Sequence, residues 1–313
     1  MLEFLKPVEH FGHKFDRGMT LYEFSALREP ERTDFPRIGA WLRSKGIEFN
    51  EVPTPQIIWR GQMWPDLYIA NQLDAVPEGW HGHQLLELHP SYKSIWHDNF
   101  SLEIASLQNH GKEFHDAFID PMCLKITGES SANICAKYHR AVWLPVYWNQ
   151  TLRARESIPT KFYYPTEGYA GIVQGSLSAH SKDKFTYSTG YKSGSELDLL
   201  HRQEISLAYC LAEPLKKFSV LFVVDESPIY RITNMDVCAG TPAITQRLIV
   251  EYRGECDVHH ELERLGLARV SQSAYASMKM TLPTIENVLR GWKPRPNINR
   301  QLWEILYAET TAQ

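Results

Sequence analysis

Apolar residues recur at helical spacing over 34–44, where Phe35, Ile38, Trp41 and Leu42 share one face and Gly46 follows as a stop. Short apolar or alternating runs at 48–53, 56–60 and 67–70 predict three strands, with Arg60-Gly61-Gln62 a tight turn between the second and third. Runs at 84–88 and 122–127 predict two further strands. Between them the spacing predicts a helix over 100–118, with Leu102, Ile104, Ala105 and Leu107 on its inner side. The order helix, three strands, strand, helix, strand predicts an α/β or α+β unit built on a mixed sheet.

The following stretch reads differently. Val142 to Trp148 and Phe162-Tyr163-Tyr164 are β-like, 176–195 is polar and rich in turn residues, and 197–212 looks helical. Phe218 to Val224 is the strongest buried-strand signal in the chain. From Asp257 the pattern predicts short helices over 258–265, 272–278, 283–290 and 298–308, separated by Gly266, by Met280-Thr281-Leu282 and by 291–296. The chain thus divides into a mixed α/β core at 1–140, a β-rich middle without an assigned role at 141–256, and a small all-helical domain at 257–313.

With 313 residues, 43% of them hydrophobic, the chain has enough apolar surface for a sizeable core. A net charge of −4 excludes a polycation that coats nucleic acid or anionic membrane, so any nucleic-acid surface is local. Five cysteines at wide spacing, with no Cys-x-x-Cys, argue against a disulfide framework and a ribbon-type zinc site, and fit a reducing compartment. No apolar run approaches eighteen residues, and the first residues show no leader pattern. The expectation is a cytoplasmic protein without a membrane span.

Candidate chemistry begins with two carboxylates. Pro65-Asp66 precedes a predicted strand, and about twenty residues later Leu85-Leu86-Glu87-Leu88-His89-Pro90 carries a second acid. Two carboxylates on adjacent strand ends hold a Mg²⁺ that activates water and neutralises a phosphodiester. On these residues the stretch 31–128 resembles a PD-(D/E)xK nuclease core, and its "Gly-Ile-Glu-Phe … Pro-Asp-Leu-Tyr-Ile" context is similar to the endonuclease subunits of Tn7-like transposons. The resemblance implies Asp66 and Glu87 as metal ligands, joined by Glu31 or Asp34. It also implies a basic partner, for which His89 stands where the family has lysine and Lys93 is the alternative. The same region admits another reading, since His81-Gly82-His83 followed by Ser91 resembles a JAB-type zinc isopeptidase, although Ser94 stands where that family has Asp. Cys123, Cys135 and His139, or the pair His259-His260, lack metal-ligand spacing and read as packed or solvated side chains.

The last sixty residues carry the second pattern. A helix from Ser271-Gln272-Ser273, a short turn and a helix from Pro283 resemble a helix-turn-helix of the phage-repressor type, with Ala276 allowing close approach and Ile285 and Val288 inward. From Arg264 to Arg300 there are seven Lys or Arg residues against one acid, Glu286. Arg269, Lys279, Arg290, Lys293 and Arg295 would meet phosphates, and Thr281, Thr284 and Asn287 base edges. Together the patterns point to a protein acting on double-stranded DNA, in its leading form a Mg²⁺-dependent endonuclease or transposition-type cleaving subunit. The alternatives are a non-enzymatic DNA-binding regulator and a mobile-element or phage protein that meets protein partners or its own copies through the aromatic-rich middle.

Overall fold

The computed structural model describes residues 7–16, 27–28, 44, 46, 48–53, 55–65, 101–136, 162–168 and 200–291. The protein is a mixed α+β structure with a mostly sheet core. The strands in chain order are β1 (Pro7–His10), β2 (His13–Asp16), β3 (Leu27–Arg28), β4 (Phe49–Val52), β5 (Gln56–Trp59), β6 (Gln62–Trp64), β7 (Phe162–Pro165), β8 (Arg202–Pro214), β9 (Val220–Val223), β10 (Ile229–Asn234), β11 (Gln246–Tyr252) and β12 (Ala268–Thr281). The described helices are α1 (Leu102–His110), α2 (Asp120–Thr127), α3 (Met235–Cys238), α4 (Val258–Arg264) and α5 (Ile285–Leu289), with a single helical turn at Lys112–Phe114 and a π-helical turn at His115–Ile119 leading into α2. Seven strands form one sheet in the order β12-β8-β11-β10-β9-β5-β6, flanked by the hairpin β1-β2 and a small sheet β3-β7-β4. Only β5 and β9 pair in parallel in the large sheet.

The strands at 49–52 and 56–59 lie where the sequence places them. A strand follows directly after the turn, at Gln62–Trp64, because Arg60 (φ 55) and Gly61 (φ 72) take the paired positive φ of a two-residue hairpin turn; the strands expected at 67–70, 84–88 and 142–148 and the helices expected at 34–44 and 298–308 lie wholly or mostly outside the described residues. Asp225 pins that turn, its two carboxylate oxygens accepting from Arg60 N at 2.5 Å and Gly61 N at 2.6 Å.

Three expectations are corrected. The strand expected at 122–127 is α2, which has Pro121 in its first turn and Gly128 in the left-handed region just past its end. These are start and stop signals that outweigh the short apolar run. The helix expected at 197–212 is the strand β8. It lies between β11 and β12, and Ala208, Tyr209, Cys210 and Ala212 are all at most 1% exposed. A strand covered on both faces reads as a continuous apolar run that periodicity cannot separate from a buried helix. The C-terminal segment is not all helical, because residues 268–281 form β12, paired antiparallel with β8 from Ala268↔Pro214 to Thr281↔Arg202. Its Ser and Ala residues carry weak propensity of their own, so the partner strand decides. The large sheet draws β5 and β6 from the first part of the chain, β8 to β11 from the middle and β12 from the last.

The helical layer is fastened to the sheet by polar groups as well as packing. Trp59 meets Phe118 edge to face at 5.4 Å and its Nε1 donates to Ala117 O at 3.2 Å. Lys125 donates to Val223 O at 2.9 Å and to Asp225 O, and burial pushes its ammonium down to about 8. From the end of β11, Arg253 donates to Lys125 O at 2.7 Å and to Ile126 O, capping the last carbonyls of α2.

Inside the sheet Arg231 on β10 faces Glu251 on β11. Its Nε and Nη2 donate to Glu251 Oε1 at 2.9 and 2.6 Å, and the two residues are 8% and 2% exposed. Burial pushes the Glu251 carboxyl up, and Arg231 opposes that shift. Replacing Glu251 by Ala leaves a buried guanidinium without its counter-charge and is expected to cost about 3–5 kcal/mol in urea unfolding. Replacing both partners by apolar residues of similar volume is expected to recover most of that loss; an additive double variant would contradict a coupled pair.

Candidate functional site

Where the N-terminal hairpin, the turn after β7 and the start of β11 meet, the chain forms a half-open cavity of about 180 Å³. Each wall has a local cause. The hairpin is docked on the large sheet by its rings: His10 lies 4.8 Å from Tyr209 of β8, and Phe15 meets Tyr209 edge to face at 5.4 Å. Phe15 is fully buried, so strand alternation would turn its neighbour Asp16 to the other face, and Asp16 lines the cavity at 4% exposure. From β7, Tyr164 donates its hydroxyl hydrogen to Asp16 Oδ2 at 3.0 Å, with both groups buried.

The turn Thr166-Glu167-Gly168 closes over this pair. Gly168 has φ +79, and a Cβ there would stand 3.2 Å from Asp16 Oδ2 and 3.3 Å from the Tyr164 hydroxyl. Glycine is therefore required twice, for the backbone conformation and for the close approach.

The opposite wall is Met235, Ala239 and Arg247. Asn234 caps α3, accepting from Val237 N at 3.2 Å, and this sets Asp236 in the first turn facing Arg247. Asp236 Oδ1 accepts from Arg247 Nε at 2.8 Å and Nη2 at 2.5 Å, and Oδ2 accepts from Arg247 N at 2.6 Å. The remaining guanidinium nitrogen, Nη1, donates to Lys14 O in β2. One arginine thus joins β11, α3 and the hairpin. Behind the wall, Asn50 of β4 donates to Ala239 O at 2.5 Å, and Gly240 leaves no room for a Cβ beside Asn50, the nearest atom being 2.7 Å away.

The cavity holds roughly six water-sized volumes, too few for a drug-sized molecule. Its chemistry is that of a small polar subsite. A buried carboxylate is held by a phenol, a neutralised Arg247–Asp236 pair forms one side, and exposed Lys14 and Glu167 stand at the rim.

The sequence reading did not single out Asp16, Tyr164 or Arg247. The available signal was the aromatic run Phe162-Tyr163-Tyr164 ending in Pro165 and then Gly168, a strand stopped by a turn. Asp66, Glu87, His89 and Lys93 lie outside the described residues, as do Lys293, Arg295 and the His81-x-His83 pair. Arg269 and Lys279 lie exposed on β12, and Thr281 ends it. Thr284 is the buried cap of α5, accepting from Asn287 N at 3.1 Å. Asn287 is fully buried and bonds both backbone groups of His201, at 2.8 and 2.9 Å. Arg290 pairs with Glu286 of the same helix. Among the described residues no group of three or more His, Cys, Asp and Glu is placed to hold a metal ion, and no helix is long and apolar enough to cross a membrane.

No protein-family model matches the chain, and no curated protein matches it. Solved structures do. The chain is similar to reduced UDP-galactopyranose mutase, at 14% identity and TM-score 0.59, over 92% of this chain and 76% of that one. It is similar to an oxidoreductase from Methanosarcina mazei, at 12% identity and TM-score 0.53, over 90% and 80% of the two chains. It is also similar to a fatty acid isomerase from P. acnes, at 12% identity and TM-score 0.52, over 93% and 80%. At these identities the likeness establishes the fold.

That fold overturns the nuclease resemblance and the DNA-cleaving function built on it, together with the Mg²⁺ assigned to Asp66 and Glu87. The helix-turn-helix reading falls with them, and for a local reason: its first helix is the strand β12, and Asn287, assigned to base edges, is consumed in fastening α5 to His201.

Converting Tyr164 to Phe removes a hydrogen bond to a buried carboxylate and is expected to lower stability by about 1.5–3 kcal/mol in urea unfolding. An unchanged midpoint would mean that the hydroxyl does not hold Asp16. Gly168→Ala is expected to lose about 1–2 kcal/mol from backbone conformation, before any steric cost.

Proposed function

We propose that this chain is an oxidoreductase of the flavin-dependent kind. The observation that supports this reading is the fold likeness to reduced UDP-galactopyranose mutase and to the M. mazei oxidoreductase over at least 90% of the chain. All five cysteines are free, in keeping with a reducing, cytoplasmic setting.

The fit of a flavin dinucleotide to the residues present is a separate matter. Its pyrophosphate is held by backbone N–H groups at a glycine-rich turn from strand to helix, where glycines separated by one residue let the backbone approach. No two of the 18 glycines are separated by a single residue, so these residues do not supply that turn. What they do supply is the small polar chamber. Asp16, held by Tyr164, accepts from a donor on the substrate; Arg247, fixed by Asp236, keeps the chamber's width; and the Gly168 turn shields the pair from bulk water.

The test is anaerobic mixing of the purified chain with a flavin and a panel of small alcohols, amines and hydroxy acids, following the flavin absorbance. Protein-dependent bleaching with one class is expected, slower by about tenfold or more in Asp16→Asn, the loss of one charged hydrogen bond. Bleaching independent of the protein across the panel would count against the oxidoreductase reading.

A further inference from the structure

We infer that the described residues, together with the glycine pattern of the whole sequence, give the pyrophosphate of a flavin dinucleotide no binding site, so that the chain distinguishes poorly between FAD and riboflavin. The inference rests on the oxidoreductase reading of the fold and concerns which end of the cofactor this chain can touch.

Three observations converge on it. The first is the glycine spacing, which lacks the one-residue separation throughout the sequence. A side chain at either position holds a phosphate away from the backbone donors that would bind it.

The second is the strand pairing. Gly12 belongs to a two-residue hairpin turn. His10 pairs with His13, and Phe11 (φ 56) and Gly12 (φ 75) both take positive φ, the geometry that reverses a strand onto its neighbour. The chain there returns antiparallel as β2, where a dinucleotide turn would lead into a helix. In the large sheet five of the six neighbouring pairs are antiparallel, namely β12-β8, β8-β11, β11-β10, β10-β9 and β5-β6. The one parallel pair, β5-β9, joins strands more than 150 residues apart, far beyond a single strand-helix-strand unit.

The third is the state of the helix N-termini among the described residues, where an anion would bind. In α1, α3, α4 and α5 one first-turn donor already has a side-chain acceptor: Ser101, Asn234, Asp257 and Thr284 each accept from the backbone N–H three residues on, while the segment Lys112–Phe114 follows Gly111 without a side-chain cap and is too short to present an anion site. At α4 that acceptor is itself a carboxylate, which repels phosphate. The helix α2 begins inside the π-helical turn, with Ile119 ahead of it and Asp120 as its first residue.

Pyrophosphate recognition through two or more charged hydrogen bonds would favour FAD over riboflavin by on the order of a hundredfold or more. Fluorescence quenching of riboflavin and of FAD, titrated with the full chain, measures that ratio, and ADP added to the FAD complex tests the pyrophosphate end alone. The expected result is a ratio within about threefold and no displacement by ADP. A hundredfold preference for FAD, or displacement by ADP, would overturn the inference while leaving the oxidoreductase reading intact. If neither flavin binds, the inference stands and the flavin-dependent reading fails, so the two are separated by the same titration.

Discussion

The guanidinium of Arg247 is the junction on which the candidate site depends. Two of its hydrogen bonds go to Asp236, whose other oxygen accepts from the Arg247 backbone amide, and one reaches the Lys14 carbonyl in the N-terminal hairpin. A planar fork with fixed donors suits this task, because each bond constrains the direction of the others. The consequence is that β11, α3 and β2, far apart in sequence, share one geometry. The cavity between them is a fixed chamber, bounded on its other side by the Tyr164–Asp16 bond and the Gly168 turn.

The fold likeness changes which residues carry the argument. Acidic pairs near a Pro-Asp suggested a metal, but a carboxylate pattern in sequence does not say whether the strands meet. In the structure the acid of interest is Asp16, because it is buried and held by a phenol, and no carboxylate cluster among the described residues is placed for a cation. The basic C-terminal segment met the same fate. Its charge is real, with Arg269 and Lys279 exposed along β12, but cationic residues spread along a strand at the sheet's edge do not make the recognition helix that major-groove readout uses.

The helix-strand errors share one physical origin. Residues 197–212 and 272–278 contain Ala, Ser, Leu and Gln, which tolerate either conformation, so local spacing does not separate helix from strand there. In the fold they are partners of each other, β8 against β12, and each completes the other's hydrogen bonds. Strand identity there belongs to the pair. The opposite error at 122–127 was avoidable, since Pro121 and Gly128 bracket α2 as local signals.

What the sequence by itself determined is the local part: the strands at 49–52, 56–59 and 220–223 and the helices at 258–264 and 285–289, while the capping role of Thr284, expected at base edges, appeared only in the fold. Turns and buried apolar runs act over a few residues and can be read there. Only the tertiary structure decided the site. Asp16 and Tyr164 lie 148 residues apart and Lys14 and Arg247 lie 233 apart, separations over which no periodicity carries information. Their meeting follows from the docking of the hairpin on Tyr209 and from the order of strands in the large sheet, which are properties of long-range burial and pairing.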